Sequence, residues 1–194
     1  MERRGKLSIY DRSLQKTRNE VSLSAFGFLF AEVVEYNLKK AAVMHDLEEC
    51  LHDLGIPAGV RILDLYVLRE NRNKRETRLL PMLTFIAGPM WKNLFGHSAE
   101  LFKAETDDNS YYVNDKTLLV NRFISVPRDL GAVNCGAFVA GMVEGMLRSA
   151  EFPATVKAHN MPETPGGPPL GNAATTIVIA FDEVVMARER RFGT

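Results

Sequence analysis

The chain reads as an α+β protein, on three observations. Helical periodicity dominates the first half, the period changes to strand-like alternation after about residue 100, and one further helix interrupts the strands. Helices first and strands later, without a βαβ rhythm, predict an antiparallel sheet covered by helices.

Residues 1–19 read as a flexible arm and 20–194 as a single domain. The stretch "EVSLSAFGFLFAEVVEYNLKK" (Glu20–Lys40) is dense in helix formers. In "HDLEECLHDLG", Leu47, Leu51 and Leu54 recur at helical spacing, and Gly55 and Pro57 are read as a stop. A third helix is predicted over Ala58–Arg69 on Val60, Leu63, Val67 and Leu68, followed by a basic turn. Leu79–Gly96 reads as an apolar helix with Pro81 near its first turn and a bend at Gly88-Pro89.

Beyond it, "SYYVND", "NRFISVP", "FPATVKAH" and "TTIVIAF" carry strand patterns, and Asn134–Ala150 reads as a helix. Pro162, Pro165, Pro168 and Pro169 crowd a hairpin insertion at 160–174. The tail from Asp182 is expected to add a last helical turn or two.

Lysine plus arginine balances aspartate plus glutamate, 24 against 24, which gives no electrostatic ground for nucleic-acid binding. Two cysteines, Cys50 and Cys135, make no disulfide framework and suit a reducing compartment. The charged N-terminus lacks the apolar core of a signal peptide. The longest apolar run, Val21–Leu38, contains Glu32 and Glu35 and is short for a bilayer span. A cytoplasmic protein with peripheral membrane contact at most is the expectation.

Three constellations could carry chemistry. Cys135 follows Asn134, a favourable N-cap, so a helix N-terminus could activate its thiol in an acyl-carrying or thiol-reactive protein. No histidine lies in a recognisable acid–base motif with it, and Gly136, Ala137, Gly141 and Gly145 line the same helix. Glycines there weaken a helix by roughly 1 kcal/mol each unless close packing compensates, so packing is the preferred role. His45, Glu49 and His52 have metal-ligand spacing on one helical face, but lie opposite the leucines and read as a solvated surface. The run holding Arg72, Lys74, Arg75 and Arg78 could touch an acidic partner or anionic lipid, with a solvated loop as the simpler reading. No cofactor motif is present.

The first helix is more informative. Leu23, Phe26, Phe30 and Val33 mark one side, and Ala25, Phe28, Leu29 and Tyr36 mark others. A surface helix of a monomer should leave a broad polar face. Either a partner chain covers the surplus, with Leu23, Phe26, Phe30 and Val33 as the expected interface, or the helix is central to its own fold.

The segments "EVSLSAFGFLFAEVVEYN", "RETRLL", "MWKNLFG", "VNRFISVP", "NCGAFVAGMVEGML", "FPATVKAH" and "TTIVIAF", in this order over about residues 20–185, together resemble the small subunits of the transport protein particle, TRAPP. The resemblance is to the subunit-five type, among relatives of the "blocked early in transport three" proteins. It implies a twisted four-stranded antiparallel sheet packed on one face by helices, and heterodimerisation with another TRAPP small subunit through helices of the N-terminal half. It further implies a non-catalytic scaffold that bridges to a peripheral subunit. The assembled particle tethers vesicles in ER-to-Golgi and Golgi traffic and acts as nucleotide exchange factor for a Rab GTPase. Some relatives carry an acyl chain on a cysteine in an apolar tunnel; neither Cys50 nor Cys135 clearly occupies that position, so acylation is not carried over.

Overall fold

A computed structural model describes residues 21–40, 44–70, 75–105, 107–125, 133–161 and 174–192. The arm 1–19 and nearly all of the insertion lie outside them. Helix α1 (Leu23–Lys40) is followed by α2 (Met44–Arg69). Next come α3 (Leu79–Phe85), a π-helical turn (Ile86–Met90) and α4 (Trp91–Phe95), which follow one another without a break as one rod. Strands β1 (Glu100–Lys103) and β2 (Ser110–Asp115), the short α5 (Leu119–Arg122), α6 (Ala137–Ser149), β3 (Ala154–Asn160), β4 (Thr175–Phe181) and α7 (Glu183–Phe192) complete the order. The sheet is antiparallel throughout, in the order β1-β2-β4-β3, as the fold class anticipates.

Helix α6 is the centre of the molecule. Every residue from Val139 to Leu147 is buried, because α2 covers one flank and the sheet the other. Ile177 and Ile179 of β4 line the inner sheet face beside Val113 and Val156. The α2–α6 crossing is made by glycines. A β-carbon on Gly55 or Gly59 would overlap the Phe138 or Met142 carbonyl oxygen; one on Gly141 or Gly145 would overlap those of His52 and Ile56. The two backbones therefore touch, and this close packing offsets the helix weakness that four glycines bring.

That crossing corrects the expected stop at Gly55 and Pro57. Helix α2 is continuous, and Pro57 is exposed on its far side. The missing N–H weakens the helix locally, but Gly55 and Gly59 must both meet α6 and fix a helical path through the proline.

Two strand expectations also change. Over its described residues 121–125, "NRFISVP" supplies no strand: Asn121 and Arg122 belong to α5, and the Asn121 amide donates to Asn134 Oδ1 (2.9 Å) and Thr175 Oγ1 (3.0 Å). This buried polar junction holds the start of α6 to the start of β4. The fourth strand is instead β1, an edge strand whose mostly exposed residues leave no alternating signal. The tail forms a full ten-residue helix, α7, anchored by buried Val185 and Met186.

At Gly88-Pro89, where a bend is expected, the helix changes hydrogen-bonding pattern. The proline has no N–H to donate, and the ladder widens into a π-helical turn there. Gly96, at φ 85°, ends α4 in the left-handed conformation. Trp91 is buried and donates its indole N–H to Asp115 Oδ2 at 2.8 Å, tying the rod to β2.

Candidate partner interface

Helix α1 lies on α2 through one side. Phe30 is buried, stacked on Phe26 at 5.9 Å and edge-on to Phe138 of α6 at 5.6 Å. Val33 and Val34 are half-buried below it, and Asn37 is buried with its amide donating to the Val33 carbonyl at 2.8 Å. Gly27 gives the Phe123 ring a seat, at 3.3 Å from where a β-carbon would stand. Leu23 shares this side but is exposed, since nothing among the described residues covers the start of the helix.

The other side has no cover among the described residues. Phe28 is 79% exposed, Leu29 67% and Tyr36 55%, with exposed Ala25 and Glu32 on the same arc. Spaced at i, i+1, i+4 and i+8, Phe28, Leu29, Glu32 and Tyr36 share one stripe of the helix. The charges around it are spent locally. Lys39 Nζ is 2.6 Å from Glu35, and that hydrogen bond lowers the Glu35 carboxyl pKa and raises that of Lys39. Lys40 lies over the Tyr36 ring at 4.3 Å.

The helix thus has more apolar surface than the described fold hides, but the uncovered face differs from the expected one. Of Leu23, Phe26, Phe30 and Val33, Phe30 is a core residue and Phe26 and Val33 are half-covered by this chain. Apolar residues nearly all round the helix conceal which side is which. The readable signal was charge: Glu32, Glu35 and Lys39 mark the outward arc, and Phe28 and Tyr36 flank Glu32 by one turn each way.

The other candidates that the structure describes are absorbed into the fold. Arg72 and Lys74 lie outside the described residues. Arg75 donates to the Ala150 carbonyl at 2.8 Å and pairs with Glu151 at 3.1 Å; Arg78 Nε donates to Glu189 Oε1 at 2.7 Å. These two arginines clamp the ends of α6 and α7 to the start of α3. Cys135 sits in the turn before α6 and is 1% exposed. Burial, then the Glu48 carboxylate, push its thiol pKa up to about 11, so the thiolate needed for nucleophilic chemistry is suppressed at neutral pH. The cap of α6 is Gly136, two residues beyond the expected Asn134, whose Oδ1 accepts from the Gly136 N–H at 2.8 Å in the turn before the helix.

His52 is not on a solvated face, as expected for the His45–Glu49–His52 trio. It is half-buried with Nε2 3.3 Å from Glu144 Oε2, because the residues that bring α2 against α6 are its neighbours Gly55 and Gly59. No cluster of three potential metal ligands occurs among the described residues. No helix among them is long and apolar enough to cross a membrane.

Comparison with known proteins fits this architecture. Residues 26–182 match the family model described as "Transport protein particle (TRAPP) component". The chain is 43% identical over 188 residues to trafficking protein particle complex subunit 5 of Gallus gallus, covering 96% of this chain and 94% of that protein. It is 46% identical over 156 residues to the subunit 5 of Dictyostelium discoideum, covering 80% and 84%. Subunit 31 of the Saccharomyces cerevisiae complex is 28% identical over 248 aligned positions, covering 95% of this chain and 84% of that protein. Among solved structures, a trafficking protein particle complex subunit 3 from Naegleria fowleri, covalently bound to palmitic acid, superposes with a TM-score of 0.69 at 16% identity. It covers 82% of this chain and 95% of that one, a likeness of fold. The family match spans most of the domain, including nearly all of α1, the central α6 and all four strands: the chain belongs to the TRAPP component family.

Proposed function

We propose that this chain is a non-catalytic scaffold subunit of a vesicle-tethering particle acting in ER-to-Golgi and Golgi traffic. It pairs with another small subunit through α1, bridges it to a peripheral subunit, and so supports Rab nucleotide exchange by the assembled complex. The chain works in the cytoplasm, in peripheral association with ER and Golgi membranes. The uncovered stripe Phe28, Leu29 and Tyr36 carries the reading. Exposed aromatic surface of this kind is costly for a free protein and is the usual anchor of an interface. The kinship with trafficking particle subunits supports a partner of the same family.

Co-expression tests it. The chain with one of the particle's small subunits should yield a stable heterodimer, and Phe28→Asp should abolish co-purification while leaving helix content unchanged. Undiminished pairing by Phe28→Asp with every small subunit would overturn the α1 interface. The alternative role as a thiol-reactive or acyl-carrying protein would need Cys135 accessible, and its burial against α6 speaks against that.

A further inference from the structure

We propose that Glu32 sets the choice of partner: it opposes pairing of two copies of this chain and selects a different subunit whose docking helix carries a basic side chain within an apolar stripe. This rests on the reading that the outer face of α1 is a docking surface.

The position of Glu32 makes the argument. The exposed stripe runs from Phe28 to Tyr36, and Glu32 is its midpoint, one turn from each end on the same arc. Two copies meeting through this stripe would form an isologous pair, in which a twofold axis relates each residue to itself. An axis through the middle of the stripe sets Glu32 against its own copy, so two carboxylates would face each other as apolar neighbours strip away their water.

Among the described residues little relieves this. Lys39 is hydrogen-bonded to Glu35 and feels the Glu32 charge only weakly, Lys40 lies over the Tyr36 ring, and Glu32 forms no ion pair. A lysine or arginine from a different subunit would turn the same carboxylate into an attractive contact. Phe28 and Leu29 on one side of it and Tyr36 on the other would exclude solvent. One residue thereby disfavours the wrong partner and favours the right one.

The test uses the full chain, wild type and with Glu32→Leu, Glu32→Lys or Phe28→Asp, alone and with each small subunit of the particle. Sedimentation velocity reads self-association, and titration binding reads pairing. Glu32→Leu should create a discrete homodimer absent from the wild type, which adding Phe28→Asp removes. Glu32→Lys should weaken partner binding by about tenfold or more, recovered when the facing basic residue of the partner is changed to glutamate. Glu32 variants that match the wild type in both assays, while Phe28→Asp abolishes pairing, would overturn the role of Glu32 and leave the docking surface intact. Phe28→Asp pairing normally would remove the docking surface itself.

Discussion

Gly59 of α2 rests directly against the carbonyl oxygen of Met142 in α6, with no space for a β-carbon between them. The obstacle is backbone, which cannot swing aside as a side chain can. Gly59→Ala should therefore destabilise the protein by about 2 kcal/mol or more despite alanine's better helix propensity. Gly88→Ala is the control, since nothing lies within 4 Å of that site, and it should be neutral or mildly stabilising. Urea unfolding of both variants checks this; equal stability for the two would contradict the crossing.

Phe30 and Phe28 are two residues apart and have opposite fates. Phe30 is enclosed by Phe26 and Phe138, so Phe30→Ala should cost about 3 kcal/mol and Phe30→Asp should unfold the chain. Phe28→Asp should leave the melting transition within a few degrees of wild type. Thermal melts by circular dichroism separate the two.

Much of this could be read from the residues. Alternation in "TTIVIAF" and "FPATVKAH" marks half-buried strands, and the glycines of α6 announce a helix pressed close to a neighbour. What stayed hidden has physical causes. Gly55 and Pro57 are local breakers, and only the presence of α6 makes a helix through them favourable. In "NRFISVP", β-formers mislead because Asn121 serves a buried junction and no ladder. The two sides of α1 are equally greasy, so the apolar pattern hides that Phe30 turns in and Phe28 out; only the charges Glu32, Glu35 and Lys39 mark the outer side.

Glu144 is a buried carboxylate at the meeting point of three elements. It accepts from the Val156 N–H at 3.1 Å and from Arg148 Nη2 at 2.7 Å, and lies beside His52. Glu144→Ala leaves the buried strand N–H without a partner and should cost about 3 kcal/mol. Arg148→Ala removes only the exposed end of the pair and should cost under about 1 kcal/mol. Chemical denaturation of each variant reads the difference, and similar losses from both would contradict this assignment.

Cys135 gives the pH dependence. Its thiol titrates near 9.0 when unfolded and about 11 when folded. The unfolded chain releases its proton first, so the thiol's contribution is intact below pH 9 and is lost as pH rises towards 11. The loss should reach roughly 2 kcal/mol by pH 10.5. Urea unfolding at pH 8 and pH 10.5 should show that decline in the wild type and less of it in Cys135→Ala. At neutral pH, maleimide should modify half-exposed Cys50 first and reach Cys135 only at the rate of unfolding.

The central claim is that the outer face of α1 is covered by another subunit, and labelling at position 25, exposed on the same arc, measures it directly. With Cys50→Ser and Ala25→Cys in place, the new thiol should react rapidly in the isolated chain and at least about tenfold more slowly in the assembled particle. Equal rates in the two would contradict the account.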